Sequence, residues 1–233
     1  MSGNPIMVVS LSVAPEQHAA FTEFYHHQFL PALVAEVPQI KCIRRYEEVG
    51  GVTHRLYNKQ TITIYELKED TDLTTVDSFF KLPSLKSVVD KFANWKSKSL
   101  RNFSRDNYKI FWQSERGAHL TDFPDGGFHL WSLECRSDKD DEFQSWYQNV
   151  YLPLQIADIP SWSRVTRFRS FGREQPRFLT FFETRDEEAL LRCLKDSRAA
   201  HRINQNYEWQ RQVEECATWQ ESASFRAIYK KPG

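Results

Sequence analysis

The sequence predicts an α+β chain built from two βαββαβ halves, and three observations carry that prediction. First, FTEFYHHQFLPALVAEVP (Phe21 to Pro38) returns without a gap as FQSWYQNVYLPLQIADIP (Phe143 to Pro160). The spacings 143 − 21, 153 − 31 and 160 − 38 all equal 122, which lays Phe21 on Phe143, Phe24 on Trp146, Tyr25 on Tyr147 and one Leu-Pro on the other. Second, short apolar runs bounded by turn residues flank both copies. Third, strand and helix signals follow one order in each copy.

The elements can be justified in that order. VVSLSV (Val8 to Val13) and LWSLEC (Leu130 to Cys135) read as opening strands. A helix follows each: Pro15 suits a first helical turn, and Ser137-Asp138 offers N-cap oxygens before an acidic turn. That helix is the repeated stretch, aromatic on one face and running into two prolines. Ile43-Arg44-Arg45-Tyr46 and Val165-Thr166-Arg167-Phe168 come next, then a turn at Gly50-Gly51 in one copy and Gly172 in the other. The second turn is five residues shorter, so the spacing falls to 117 and TITIYEL (Thr61 to Leu67) aligns with FLTFFET (Phe178 to Thr184), Glu66 with Glu183. Matching the two hairpins sets Arg45 opposite Thr63 and Arg167 opposite Thr180. The odd steps from 63 to 66 and from 180 to 183 then put each Glu on the opposite face from its Arg.

Helical segments follow. They are VDSFF and SLKSVVDKFANW, divided by Pro83, in the first copy, and EEALLRCLKDSRAAHRINQNYEWQRQVEE in the second. NYKIFWQ (Asn107 to Gln113) and SFRAIYK (Ser224 to Lys230) close the copies. Each copy is a ferredoxin-like split βαβ arrangement. The expected organisation is a first repeat over 1–113, a linker over 114–126 rich in Gly, Pro, Asp and Ser, and a second repeat over 127–233. TITIYEL and FLTFFET are apolar on both faces, so both faces need cover. Helices of the same copy supply one cover and the other copy's sheet the second, which predicts an intramolecular pseudo-dimeric α+β barrel without free strand edges.

With those residues in hand, the chain resembles the dimeric α+β barrel superfamily over nearly its whole length, counted twice. The pattern Phe-x-x-aromatic-Tyr, Leu-Pro, Pro, Arg-aromatic is most similar to the EthD-like group. The resemblance implies a range of activities: cofactor-free monooxygenases, polyketide cyclases, dehydratases, decarboxylases, haem-handling proteins and stress proteins. It also implies a Glu-His-aliphatic-Pro segment at the end of the first helix. Here the His position falls on Phe29 and Tyr151, and the Glu position on Gln28 and Val150. Both copies lack that imidazole and carboxylate.

The 31 basic and 31 acidic side chains cancel, so no global field steers the chain to nucleic acid or an anionic membrane. No basic leader precedes an apolar segment, and no apolar run approaches the roughly 20 residues of a bilayer span. The expectation is a cytoplasmic protein, monomeric as a pseudo-dimer or homodimeric. Cys42, Cys135, Cys193 and Cys216 are scattered without metal-ligand spacing and are expected as reduced thiols. No phosphate loop, nucleophile elbow or dinucleotide fingerprint occurs, so no cofactor and no metal is expected.

The copies differ where a pocket would form: His129 against Met7, Trp131 against Val9, Trp146 against Phe24, Glu134 against Ser12. That asymmetry predicts an aromatic-lined pocket in the second half for a small apolar or aromatic substrate. His129, beside Trp131 on the opening strand, is the expected base; Tyr147 polarises a carbonyl; Arg167 partners an anion. Trp131, Trp146, Tyr151, Glu183, Tyr25, Phe29 and Arg45 are the expected substrate-binding residues. The leading expectation is a cofactor-independent cyclase, dehydratase or isomerase acting on a polyketide-like or aromatic molecule. The alternatives are a cofactor-free monooxygenase and a non-catalytic ligand-binding or stress-type barrel. A structural role for each residue stands beside these roles: Tyr25 and Tyr147 as packed aromatics, the repeated Arg and Glu as buried charges used structurally, His129 as a satisfied core histidine.

Overall fold

Strands apolar on both faces have to be buried on both, and they are. Every residue of β1 (Ile6–Val13) and of β7 (Phe178–Thr184) is buried, as is all but the first of β3 (Gln60–Leu67). A computed structural model describes residues 3–49, 60–120, 125–172, 176–196 and 203–233, with backbone alone at 194–196 and 203–206. The expected turn at Gly50-Gly51 lies outside these residues.

The chain forms two compact units, Met1–Ile110 with Phe225–Gly233, and Phe111–Ser224. The expected division at 113 and 127 therefore shifts, because the end of the last strand belongs with the first unit. There β8 (Ala217–Pro232) pairs antiparallel with β2 (Ile40–Glu48), from Cys42 opposite Pro232 to Glu48 opposite Phe225. The segment expected as a linker is also partly structured. Ser114 donates its amide to Val165 O at 2.9 Å and accepts from the Val165 amide at 3.0 Å, which docks it on the second unit.

In the first unit the strands lie in the order β4-β1-β3-β2-β8, with β4 spanning Leu100–Gln113. The helices are α1 (His18–Phe24), α2 (Leu30–Glu36), the single turn α3 (Val76–Phe79) and α4 (Lys86–Lys98). Pro83 divides α3 from α4 as expected. The pairing of β1 with β4 slips between Ser10 and Ser12, and Asn102 takes a left-handed φ of 51° in the extra stretch of β4. A bulge there needs a residue tolerant of that region, and Asn is one.

In the second unit the order is β8-β5-β7-β6-β4, with β5 at Gly127–Cys135 and β6 at Trp162–Ser170. Its helices are α5 (Asp140–Trp146), α6 (Leu152–Asp158), α7 (Glu187–Asp196) and α8 (Ile203–Cys216). Ser137 and Asp138 do not cap α5. They lie in a turn closed by the Lys139 amide on Arg136 O at 3.0 Å, and Lys139 holds the cap position. Both closing strands begin several residues earlier than the sequence suggests, since pairing with a neighbour overrides the polar composition of their first halves.

The repeated Leu-Pro does not end its helix. A wide turn, Tyr25–Phe29 in one unit and Tyr147–Tyr151 in the other, joins α1 to α2 and α5 to α6. In it the Leu30 amide reaches back five residues to Tyr25 O, and Leu152 likewise reaches Tyr147 O. Proline has no N–H for the ordinary four-residue bond and its ring crowds the carbonyl that would accept it, so one extra residue is taken into the turn ahead of it. The helix then runs on to Val37 and Ile159, just before Pro38 and Pro160.

Candidate functional site

The hairpin registers place the two arginines. Arg45 on β2 pairs with Thr63 on β3, and Arg167 on β6 pairs with Thr180 on β7. Both face the helices of their own unit, and neither exposes any surface. Glu66 and Glu183 point the other way and are spent there. Glu66 takes Asn4 Nδ2 at 2.7 Å, Lys41 Nζ at 2.9 Å and Arg44 Nη1 at 3.1 Å. Glu183 takes Arg164 Nε at 2.9 Å on both oxygens, Arg164 Nη2 at 2.6 Å and Thr166 Oγ1 at 2.9 Å. A buried carboxylate so engaged is held by its partners, which removes Glu183 from the expected substrate-binding set. Glu134, one of the asymmetric positions, serves the second unit similarly: it binds the Arg177 side chain and takes the Arg177 amide at 2.9 Å.

Around Arg167 the second unit assembles a group of aromatic rings. The guanidinium carbon lies 4.6 Å from the ring centre of Tyr147 and 4.6 Å from that of Phe111, with Phe178 at 5.9 Å. Nη2 donates to Gln144 Oε1, and Gln144 Nε2 is held by Asp140 Oδ1 at 3.0 Å. Asp140 in turn meets Arg177 Nη1 at 3.1 Å. Among the described residues, Nε and Nη1 of Arg167 are buried and reach no acceptor, and the Tyr147 hydroxyl is also buried without a hydrogen-bond partner. Burial raises the Tyr147 pKa to about 12, with Arg167 and then Thr180 close enough to draw it down a little; no bond to Thr180 is complete. Burial also lowers the Arg167 pKa to about 10, with Tyr147 the first group opposing it. At neutral pH the site therefore holds a cation beside a protonated phenol.

Aromatic rings cover this pair on the helix side. Trp209, buried on α8, lies 3.7 Å from Trp131, 4.9 Å from Tyr151, 5.5 Å from Tyr147 and 6.2 Å from Trp146, measured between ring centres. Trp131, Trp146, Tyr147 and Tyr151 thus meet as the sequence suggests, around a residue it did not single out. The signal was present: Trp209, Val213 and Cys216 recur at i, i+4 and i+7 and are all buried. Gln144 could also have been found, three residues before Tyr147 and hence on the same helix face.

His129 stands apart. It pairs with Phe182, whereas Trp131 pairs with Thr180 opposite Arg167. Two strand spacings and two residues along the strand put its Cα about 12 Å from that of Arg167. Its Nδ1 is 2.9 Å from Ser224 Oγ, and its ring is 6.1 Å from that of Phe182 rather than against Trp131. Loss of solvent lowers its pKa to about 4, although the residue is half-buried rather than fully enclosed. The expected trio of His129, Tyr147 and Arg167 therefore resolves into a pair and a separate neutral imidazole.

The first unit gathers Tyr25, Phe29 and Arg45 into one cluster, but its polar atoms are nearly all paired. Tyr25 bonds to Tyr65 at 2.9 Å and to Thr63 at 3.3 Å, and its ring stacks on Phe29 at 5.4 Å. Arg45 Nη1 meets His26 Nε2 at 3.0 Å and Thr22 Oγ1 at 3.5 Å, and Nη2 meets Thr61 Oγ1 at 3.4 Å. At a spacing of 117, Tyr65 corresponds to Phe182, which carries no hydroxyl. That difference removes one of the two partners that Tyr25 has, and Thr180, at the place of Thr63, completes no bond to Tyr147.

Among the described residues, no group of three His, Cys, Asp or Glu could hold a metal ion, and no helix is long and apolar enough to cross a membrane. The four cysteines are buried and unpaired with one another.

No family model matches the chain, and no curated protein matches it in sequence. Solved structures do match. A proposed monooxygenase from Fusobacterium nucleatum subsp. nucleatum aligns over 100% of this chain and 96% of its own, with a TM-score of 0.60 and 11% identity. An anthrone oxidase-like protein aligns over 98% and 93%, with a TM-score of 0.58 and 10% identity. A proposed chlorite dismutase aligns over 98% and 96%, with a TM-score of 0.51 and 12% identity. These neighbours have the ferredoxin-like, dimeric α+β barrel fold, and the likeness gives this chain that fold.

Proposed function

We propose that the second unit binds an aromatic or polyketide-like molecule with an enolisable carbonyl and transfers a proton on it, without metal or nucleotide cofactor. The reaction would be of the cyclase, dehydratase or isomerase type. The observation that carries this reading is the Arg167–Tyr147 pair: a buried guanidinium with two nitrogens unspent on protein acceptors, beside a phenol whose hydroxyl is equally unspent. Fixed donors shielded from water stabilise negative charge that develops on an oxygen, and they need no reorganisation as it develops. An enolate oxygen between Arg167 and Tyr147 would gain both. Gln144, steadied by Asp140, positions the guanidinium, and Trp131, Trp146, Tyr151 and Trp209 supply faces for stacking. Their rings enclose the pair, so binding requires the Trp131–Trp209 contact to part. His129 is unprotonated at neutral pH and is the candidate base for a substrate long enough to span about 12 Å across the sheet.

Anthrone, a flat tricyclic ketone whose methylene protons are acidic, is a direct test. In D2O without dioxygen, the chain should speed exchange of those protons, and Arg167→Met should return the rate to that of buffer. Saturable binding with no exchange would replace the reading with that of a binding protein. The neighbours described as a monooxygenase and as anthrone oxidase-like favour a second reading, in which the same enolate reacts with dioxygen to give the quinone and water. Stoichiometric oxygen consumption would select it. We also propose that the two units arose by tandem duplication of one EthD-like βαββαβ unit, supported by the constant spacing of 122 and by the wide turn at the same place in both.

A further inference from the structure

The first unit's arginine has the setting of a ligand site with its acceptor position already taken. Arg45 is fully buried and faces the rings of Phe21 at 5.5 Å and Tyr25 at 5.1 Å, and no carboxylate bonds to it. Its partners are all neutral: His26, Thr22 and Thr61. A guanidinium only donates, so Nε2 of His26 accepts and the ring proton sits on Nδ1. One residue, Tyr229, braces the ring and its backbone. The ring stacks on Tyr229 at 4.3 Å, and the Tyr229 hydroxyl donates to the His26 carbonyl at 3.1 Å. His26 is half-buried whereas Arg45 is enclosed, so the imidazole is the outer cover of the guanidinium. The second unit has no such cover. Gln148, 122 residues on, turns its amide to Gln144 O at 3.3 Å and leaves Arg167 alone.

We infer that Arg45 is a latent site for an aromatic molecule bearing an anionic oxygen (carboxylate, sulfonate or enolate), kept closed by the Nε2 atom of His26. An anion in that position would form charge-assisted hydrogen bonds about twice as strong as the neutral ones it replaces. The aromatic wall for stacking is already there. Of the two matched arginines, Arg167 is then the one left open to ligand. This last point rests on the function proposed above, whereas the closed state of Arg45 does not.

The test uses the full chain carrying Arg167→Met, with anilinonaphthalene sulfonate as the probe, followed by fluorescence and equilibrium dialysis. In that background, His26→Ala should create about one bound probe per chain, with affinity about tenfold or more above the parent. His26→Gln should stay closed, because its side-chain carbonyl still accepts from Arg45. Adding Arg45→Met to His26→Ala should abolish the new binding, with circular dichroism confirming a folded chain. If Arg45→Met does not fold, the contrast between Ala and Gln decides. Equal binding by those two variants, no gain in either, or binding that survives Arg45→Met would overturn the inference. Loss of Arg167-dependent binding in the otherwise unaltered chain would count against the proposed function alone.

Discussion

Arg45 and Arg167 stand 122 residues apart on matching strands, both enclosed and both against a tyrosine ring, yet they are in different chemical states. Among the described residues, the first donates to His26, Thr22 and Thr61 and leaves only Nε without a partner, whereas the second donates to Gln144 and leaves both Nε and Nη1 without one. The matching tyrosines divide in the same way, Tyr25 bonded to Tyr65 and Thr63, Tyr147 to no partner. Four neighbouring differences cause this: Thr22 to Gln144, His26 to Gln148, Thr61 to Phe178 and Tyr65 to Phe182. A repeated residue therefore does not carry a repeated role. Its neighbours decide whether a buried charge is consumed by the protein or left for something else.

The strongest way to test that contrast is to remove the cover of one site. Trp209→Ala should lower unfolding stability by about 3–5 kcal/mol, as for other buried large-to-Ala changes. Phe92→Ala, at the corresponding place in the first unit but only partly buried, should cost less. Equal losses by denaturant titration would show that Trp209 is packing and nothing more.

Arg167→Met should reduce turnover or probe affinity by about 10²–10³-fold, the usual loss when a donor to a developing oxyanion is removed. It should leave the thermal midpoint unchanged or raise it, since a buried, poorly paired charge is exchanged for an apolar chain of similar volume. Arg45→Met should instead lose about 1 kcal/mol for the hydrogen bonds it gives up. A stability loss at Arg167 as large as that at Arg45 would erase the distinction between them.

The tyrosines give a smaller version of the same experiment. Tyr25→Phe should cost about 1–2 kcal/mol, because it breaks two buried hydrogen bonds. Tyr147→Phe removes a hydroxyl that has no partner, so stability should hold while turnover falls.

The smallest effect concerns pH. The pKa of His26 is lowered to about 4 by burial first and by Arg45 next, and that of His129 to about 4 by burial. Each folded-state value lies below the ordinary 6.5, so the unfolded chain binds more protons between pH 4 and 6.5. Stability should be full above pH 6.5 and fall as pH drops through that window. His129→Gln should flatten the fall. His26→Gln should flatten it less, because that ring is half-exposed and water screens it. Denaturant midpoints at several pH values will rank the two, and an unchanged slope in both variants would show that neither ring titrates abnormally.

Much of the fold is written in periodicity that needs no tertiary information. Alternation along TITIYEL set Arg45 opposite Thr63 and turned Glu66 away from it, and the register agrees. The same count worked for Arg167, Thr180 and Glu183. The aromatic face of the repeated helix brought Tyr147, Tyr151 and Trp146 together. A wide turn ahead of Pro31 and Pro153 lets that helix continue to the second proline of each copy. His129 was drawn toward Trp131 because strand alternation puts them on one face, but a side chain two residues along a strand need not touch its neighbour. Trp131 found Trp209 instead.

By itself the sequence determined which residues share a strand face, which residues oppose one another across each hairpin, and that each Glu faces away from its Arg. Those properties follow from a period of two in strands, a period near 3.6 in helices and the transfer of apolar surface from water, all of which act along the chain. Only the tertiary structure decided which donors found acceptors. Hydrogen bonds are directional and fall off steeply beyond about 3.2 Å, so they depend on where side chains distant in sequence come to rest. His26 reaches Arg45 from another element, nothing reaches the unspent nitrogens of Arg167, and the difference between the two units lies in those distances.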